Sequence, residues 1–481
     1  MTRRTAPSLL AVCTAVGCAP APVIDPLPDA VVMVSDSGNQ RFVYTQLRDR
    51  AVTQTVNLRS LHPDDCGPEY GGSAPADAEC LSFQAFPEAI SDSDGAHDEL
   101  VLTYDRQAID GNFERSAIER IRVDGAPDSP LWRLDALDFV THYADQLDIC
   151  SAPQPCGDGS DMPDAPLSAV LRCRLAHVHD FDVLAEDASS VDLLIADTVN
   201  ERVLTVHLDK TTRCGVVTDV LSSAVVPEWA AGRTPNDVDA VPLDDGSSGV
   251  LVTFRSSSGD VAAGGVSGGD DGNGLVMLFR PGAAAWEQAW TYPATGFLNS
   301  PHDALVFESA AGEPFLVYAH SDGNGVTLQA DWKQAQESRG SIGVALLGDG
   351  APDYRFDAIL PETEPDGGFG FLRSALPYGQ DSGGEDWLVA DSGCMAVELG
   401  CPRTPAVRVV RFALDDATDG AGTGAFEVGH GQQVNVYAES QGTPLNCGYG
   451  APYVAQYVAT GSVTGAAGPV TGAGDTNVVC E

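Results

Sequence analysis

The sequence predicts an all-β protein, a six-bladed β-propeller of four-stranded antiparallel sheets. Three observations predict it. Six short apolar runs recur along the chain, each ending in a polar or charged residue. Gly, Ser, Asp and Asn punctuate the stretches between them. Four of the runs are preceded, 18 or 19 residues upstream of their polar end, by a pair of polar marker residues.

The runs are Val31 to Asp36, Glu99 to Asp105, Asp192 to Asp197, Val250 to Arg255, Pro314 to His320 and Asp386 to Asp391. Their β-branched and aromatic content between turn residues reads as strand rather than helix. The markers are His179-Asp180, Asn236-Asp237, His302-Asp303 and Arg373-Ser374, and each opens a shorter run that reads as the preceding strand. The unit is therefore strand, turn, strand, polar residue, loop, strand. Six such sheets set radially make a propeller. The spacing of about 60 residues per unit exceeds the usual 40–50, so residues 256–274 and 322–340 read as insertions. The first run, Val31 to Leu47, has no strand of its own upstream. The closing sheet is expected to borrow C-terminal strands around Val434 to Tyr437 and Tyr453 to Tyr457, which covers an edge and locks the ring. One propeller then spans residues 30–460.

The ends of the chain carry an address. Arg3 and Arg4 precede a short apolar stretch, Ala6 to Val16, and residues 1–17 read as an export signal. The stretch is shorter than the roughly 20 residues a membrane span needs. Ala15-Val16-Gly17-Cys18 resembles the lipobox of bacterial lipoproteins, with Ala15 where that motif usually has Leu. The resemblance implies cleavage before Cys18, lipid on its thiol and, with Ala19 following, an outer-membrane or cell-surface location reached through that lipid alone. Residues 18–29 read as a proline-rich tether. Of 12 cysteines, setting aside Cys13 and Cys18 leaves an even number in an exported chain, which reads as a disulfide framework. Proximity suggests Cys66–Cys80, Cys150–Cys156 and Cys394–Cys401. Cys447–Cys480 would pin a Gly/Ala/Thr-rich tail at 461–481, and Cys173–Cys214 would join parts of one blade. None of these cysteines has zinc-site spacing, and neither metal nor cofactor is expected. The Asp/Gly turns at 269–274 and 321–325 lack the twelve-residue calcium loop and read as solvated turns.

Charge excludes one class of partner. Lys+Arg total 26 against 69 Asp+Glu, a formal net charge of −43, and Lys210 and Lys333 are the only lysines. No basic stripe for nucleic acid can be assembled from them.

Repeat position selects candidates for chemistry, because blade-opening residues and second-strand ends meet near a propeller's channel. One series is His179, Asn236, His302 and Arg373; the other is Asp197, Arg255, His320 and Asp391. His and Arg in a concave mouth suit an oxyanion, with Arg supplying paired hydrogen bonds. His302 can serve as nucleophile or base. His177, two residues before His179, is expected to face the opposite side. Equally, a His-Asp pair at a blade start can tie neighbouring blades through a side-chain hydrogen bond.

The stretch Asp197-Thr-Val-Asn-Glu-Arg-Val203 resembles the Asp-x-x-Asn-x-Arg core of NHL-type propeller repeats. Residues 176–345 resemble bacterial arylsulfotransferase-like propellers, through His179-Asp180, Thr234-Pro-Asn236 with Thr253-Phe-Arg255, and Ser300-Pro-His-Asp303. That resemblance implies that His302 takes a sulfuryl group from an aryl sulfate and passes it to a phenol. It further implies that Arg255 steadies the sulfuryl oxygens, and that His179 and other histidines act as acid and base. Thr234 stands where the family motif carries a catalytic histidine. The competing reading is a non-catalytic surface lipoprotein that holds a small-molecule or protein ligand at the channel mouth.

Overall fold

A computed structural model describes residues 30–36, 41–46, 52–62, 80–92, 95–107, 113–123, 130–139, 175–223, 226, 229, 233–243, 245–257, 274–282, 286–295, 298, 301–309, 311–320, 340–348, 352–358, 369, 372–381, 384–391, 406–412, 414, 429–434 and 452–458. The signal, tether and tail regions, with Cys18, lie outside the described residues. So do all the paired cysteines of the expected framework except Cys80 and Cys214.

The strands form six small sheets. Blade 1 contains β1 (Val31–Asp36), β2 (Arg41–Gln46) and β3 (Val52–Asn57), followed by the one-turn helix α1 (Leu58–Leu61). Blade 2 is β4 (Cys80–Asp92), β5 (Gly95–Gln107), β6 (Phe113–Arg122) and β7 (Trp132–Leu134). After it comes β8 (Ala136–Phe139), then blade 3, β9 (Val178–Glu186), β10 (Ser190–Asp197), β11 (Arg202–Asp209) and β12 (Cys214–Ser222). Blade 4 is β13 (Arg233–Pro242), β14 (Ser248–Ser257), β15 (Leu275–Pro281) and β16 (Trp286–Tyr292). Blade 5 is β17 (Pro301–Glu308), β18 (Pro314–His320), β19 (Ser341–Leu346) and β20 (Asp353–Ala358). Blade 6 is β21 (Leu372–Asp381), β22 (Gly384–Asp391), β23 (Ala406–Phe412) and β24 (Gly429–Val434). The last strand, β25 (Pro452–Val458), returns to pair antiparallel with β1, Val34 opposite Ala455. The strands β25, β4, β9, β13, β17 and β21 touch one another in a closed circle, which makes them the channel-lining strand of each blade.

Two expectations are corrected here. The segment ending at Val434 does not join the closing sheet: Gly429–Val434 is the outermost strand of blade 6, where Val434 pairs with Val407. Residues 435–437 lie outside the described residues. Blade 3 is also five-stranded, because β8 adds to the outer edge of β12 in parallel, Gly215 opposite Leu137. It is the chain leaving blade 2 that covers this edge.

Packing explains why the central strands read as unbroken apolar runs. Each blade is sandwiched between two others, so both faces of its middle strands are buried. Alternate residues of β10 divide between two seams: Leu193 and Ile195 pack against blade 2 beside Val101 and Ile118, whereas Leu194 and Ala196 pack against blade 4 beside Val252 and Phe254. The same division recurs at every seam around the ring. Each fully buried aliphatic or aromatic side chain contributes roughly 1.5–3 kcal/mol relative to exposure.

Candidate functional site

The four blade-opening residues share one backbone irregularity. In blade 3, Val178 pairs with Asp197 and Asp180 with Ala196, so His179 is an extra residue with no partner opposite. Asn236 is extra between the pairs Pro235–Phe254 and Asp237–Thr253. His302 is extra between Pro301–His320 and Asp303–Ala319, and Arg373 between Leu372–Asp391 and Ser374–Ala390. Each is a β-bulge at the start of a channel-lining strand, and a bulge re-aims its side chain out of the regular alternation. The 18-residue spacing in the sequence is the length of this hairpin. Blade 4 keeps it: Phe254, 18 residues after Asn236, occupies the second-strand position held elsewhere by Asp197, His320 and Asp391, and Arg255 lies one residue further along β14. The side chain of Arg255 is outside the described residues.

Three of the four bulged residues meet. Asn236 Nδ2 donates to the carbonyl oxygen of His302 at 2.7 Å and lies 3.3 Å from its Nδ1. Arg373 Nη1 lies 3.3 Å from both ring nitrogens. All three residues are buried, His302 to 1% exposure. Arg has donors only, and so does an imidazolium, so the contact requires a neutral ring that accepts. Asn236 offers a proton towards Nδ1, whereas Arg373 stands equally near both nitrogens, so the ring accepts through one nitrogen and carries hydrogen on the other. The cluster therefore brings together a guanidinium, an amide N–H and an imidazole N–H beside one accepting ring nitrogen.

His179 belongs to a second cluster, which the sequence reading did not assemble. Its Nε2 meets Nε2 of His177, whose Nδ1 meets the Asp105 carboxylate at the end of β5. Ser116 Oγ donates to the other Asp105 oxygen and accepts from Val178 N at 3.1 Å. The expectation that His177 faces away from His179 is thus overturned. The reason is local: His177 has φ of 58°, left-handed backbone that breaks strand alternation just before β9 begins. Its carbonyl is tied down by Thr198 N at 3.3 Å.

The aspartates that follow the blade openers clasp the ring together. Asp180 accepts from Val238 N at 2.8 Å, Asp237 from Ala304 N at 3.0 Å and Asp303 from Ala375 N at 3.0 Å. Each bond runs from one blade to the first strand of the next. The tie between blades is made by the aspartate of the pair, which leaves the histidine or asparagine to face the channel. Burial pushes all three carboxyls up, and acidic neighbours push them further: Asp237 and Asp239 act on Asp180, and Asp303 acts on Asp237. Asp303 is pushed up to about 8 by burial and then by Asp239.

The second-strand ends are engaged within their own blades. Asp197 accepts from Arg202 Nε at 2.7 Å, from Asn200 Nδ2 and from Ala176 N at 2.8 Å, so the Asp-x-x-Asn-x-Arg motif is a local knot between β10 and β11. Asp391 lies 3.7 Å from Arg408, and Asp36 accepts from Arg41 at 2.9 Å in the same place. His320 Nε2 lies 2.7 Å from Ser341 Oγ. The structure brings His302, Asn236 and Arg373 together and places Asp197, Asp391 and His320 one strand further out. Among the described residues no group of three or more His, Cys, Asp or Glu is arranged to hold a metal ion.

No family model and no curated protein matches the chain. Among solved structures, one described as a putative 6-phosphogluconolactonase from Bacteroides uniformis covers 90% of this chain and 100% of its own, at 10% identity and a TM-score of 0.37. A protein of unknown function from Dyadobacter fermentans covers 80% of this chain and 96% of its own, at 11% identity and a TM-score of 0.34. A GH43 β-1,3-galactosidase covers 67% and 94%, at 8% identity and a TM-score of 0.31. The six-bladed architecture rests on this chain's own sheet order and ring of contacts.

Proposed function

We propose that this protein is a propeller lipoprotein that binds a small oxyanion, of the sulfate or sulfate-ester class, at the bulged residues of blades 4 to 6. The observation that carries the reading is the convergence of Asn236, His302 and Arg373, which brings a guanidinium and an amide N–H beside one imidazole. Donors fixed before the ligand arrives, and shielded from water, favour an anion because they lose little freedom on binding. The test is calorimetric titration of the folded protein with sulfate and with 4-nitrophenyl sulfate. Arg373→Met keeps side-chain length and removes the charge, and is expected to weaken binding by at least about 30-fold, the worth of roughly 2 kcal/mol for a charge-assisted pair. Absence of binding, or equal binding by Arg373→Met, overturns the reading.

A second reading, sulfuryl transfer from an aryl sulfate to a phenol through His302 with Arg255 steadying the oxygens, is favoured by His179. Backed by His177 and Asp105, it supplies an imidazole in a chain where Thr234 replaces the family's histidine. It requires that the ligand draw Asn236 and Arg373 away from the accepting nitrogen of His302, since a nucleophile needs that lone pair. Phenol release with and without a phenolic acceptor tests it, and equal release from His302→Ala overturns it. Export with lipid on Cys18 and an oxidised cysteine framework complete the proposal. A palmitate-analogue label that survives Cys18→Ala counts against the anchor.

A further inference from the structure

We propose that anion binding at Asn236, His302 and Arg373 is coupled to protonation of the buried aspartates in the seams beside it, so that the anion enters with a proton and is released as the pH rises. The inference deepens the oxyanion reading of the same site and rests on it for the ligand.

The clasps place these carboxyls with a repeating geometry. Each ends on the amide two residues past the bulged residue of the receiving blade: Val238 after Asn236, Ala304 after His302 and Ala375 after Arg373. The Asp237 carboxyl therefore lies between the strands of Asn236 and His302, and the Asp303 carboxyl between those of His302 and Arg373. Two residues along a strand put each about 7 Å from a bulged residue. Asp180 and Asp237 also meet carboxyl to carboxyl across the seam of blades 3 and 4. Two carboxyls hydrogen-bond only with a proton between them. Oδ1 of Asp180 is buried where no amide or hydroxyl among the described residues donates to it. The row is built to hold protons.

Charge sets the direction of the coupling. With Asp303 protonated, the seam between His302 and Arg373 is neutral and the donors face the anion unopposed. Ionised, Asp303 repels it. At about 7 Å and an effective dielectric of about 20, that repulsion weakens binding by about tenfold or more. Asp303 is pushed up to about 8 by burial and then by Asp239, so affinity is full below that pH and falls above it. Reciprocally, a bound anion raises Asp303 further and draws a proton in. The charged or titratable residues nearest Asp303 in register are His302 on its own strand, Asp237 and Asp239 on β13, His320 on β18 and Arg373 on β21. Asp239 is the one whose charge moves Asp303; His320 meets Ser341 Oγ, and Arg373 meets the His302 ring. An imidazole gains its charge below about pH 7, which keeps any histidine contribution in a separate window.

The experiment is calorimetric titration of the full folded chain with 4-nitrophenyl sulfate, a monoanion, between pH 6 and 9.5. It is run in Tris and in triethanolamine, amine buffers whose heats of proton release differ. Affinity is expected to fall about tenfold between pH 7 and 9.5, with about half a proton or more taken up per anion near pH 8.5. Asp303→Asn, which can still accept from Ala375 N, is expected to lose most of that fall. A level affinity with no proton uptake, or a fall that persists in full in Asp303→Asn, overturns the coupling and leaves the oxyanion site. A pH dependence confined below pH 7 belongs to an imidazole and overturns it equally. If the variant does not fold, the proton count of the native chain decides. No binding at any pH overturns the oxyanion site and the coupling with it.

Discussion

Two rings of aspartates sit one strand apart, and they are neutralised in different ways. In the outer ring, at second-strand ends, Asp36, Asp197 and Asp391 each face an arginine on the next strand of the same blade. In the inner ring Asp180, Asp237 and Asp303 face backbone amides of the next blade, and the charged groups acting on them are other aspartates. Burial alone raises a carboxyl; an arginine opposes the rise, as Arg202 does for Asp197, whereas an acidic neighbour adds to it. The outer ring thus holds blades together internally by ion pairs. The inner ring holds blades to each other by carboxyls that keep their protons well above the ordinary carboxylate range. The same residue type serves both seams, and the partner decides its charge.

Breaking the outer ring has the largest expected effect. Arg202→Ala leaves the Asp197 carboxylate buried without its cation, and removal of one partner of such a pair typically costs about 3–5 kcal/mol. Urea unfolding should show a loss of that order, and a loss under 1 kcal/mol would mean that the knot is not what holds β10 to β11. The inner ring responds to pH instead. Its folded-state carboxyls bind protons that the unfolded chain releases above about pH 4. Stability contributed by the protonated form is therefore complete below that value and declines as pH rises towards 8, the value reached by Asp303. Melting temperature is expected to fall between pH 5 and 8 by on the order of a few degrees more in the native chain than in Asp303→Asn. Parallel curves for the two proteins would show that Asp303 ionises normally. The smallest effect sharpens the contrast: Thr253 Oγ1 donates to Asp237 at 3.1 Å, and Thr253→Val should cost about 1 kcal/mol. That loss should grow with pH, because the hydroxyl opposes the rise in Asp237.

The sequence revealed the ring more fully than the site. Six units and the return of Tyr453 to Tyr457 were legible because an apolar run buried on both faces, ending in a polar residue, is what a central propeller strand must be. The blade openers were legible because hairpin length keeps His179, His302 and Arg373 in one register. In blade 4 the polar residue that ends the run is Arg255, but the 18-residue count from Asn236 falls on Phe254, which pairs with Pro235 as Asp197 pairs with Val178. Asp105 read only as a strand end, and His177 read by strand alternation that its left-handed backbone abolishes. Their meeting joins residues 72 positions apart across two blades, and no local pattern encodes that. The strand β8 was hidden for a related reason, since a parallel edge partner carries no hairpin signal.

Closure of the ring by β25 has a consequence in time. Val34 and Ala455 pair directly although they stand at opposite ends of the propeller. At a synthesis rate of roughly 5–20 residues per second, the about 420 residues between them take on the order of 20–80 s to appear. Through that interval β1 has no inner neighbour, and its exposed edge can meet the wrong strand, in this chain or another. Blades 2 to 6 have all their strands in local order and can assemble as they emerge. The first blade made is the last to be finished, and the step that completes it is the same step that closes the channel.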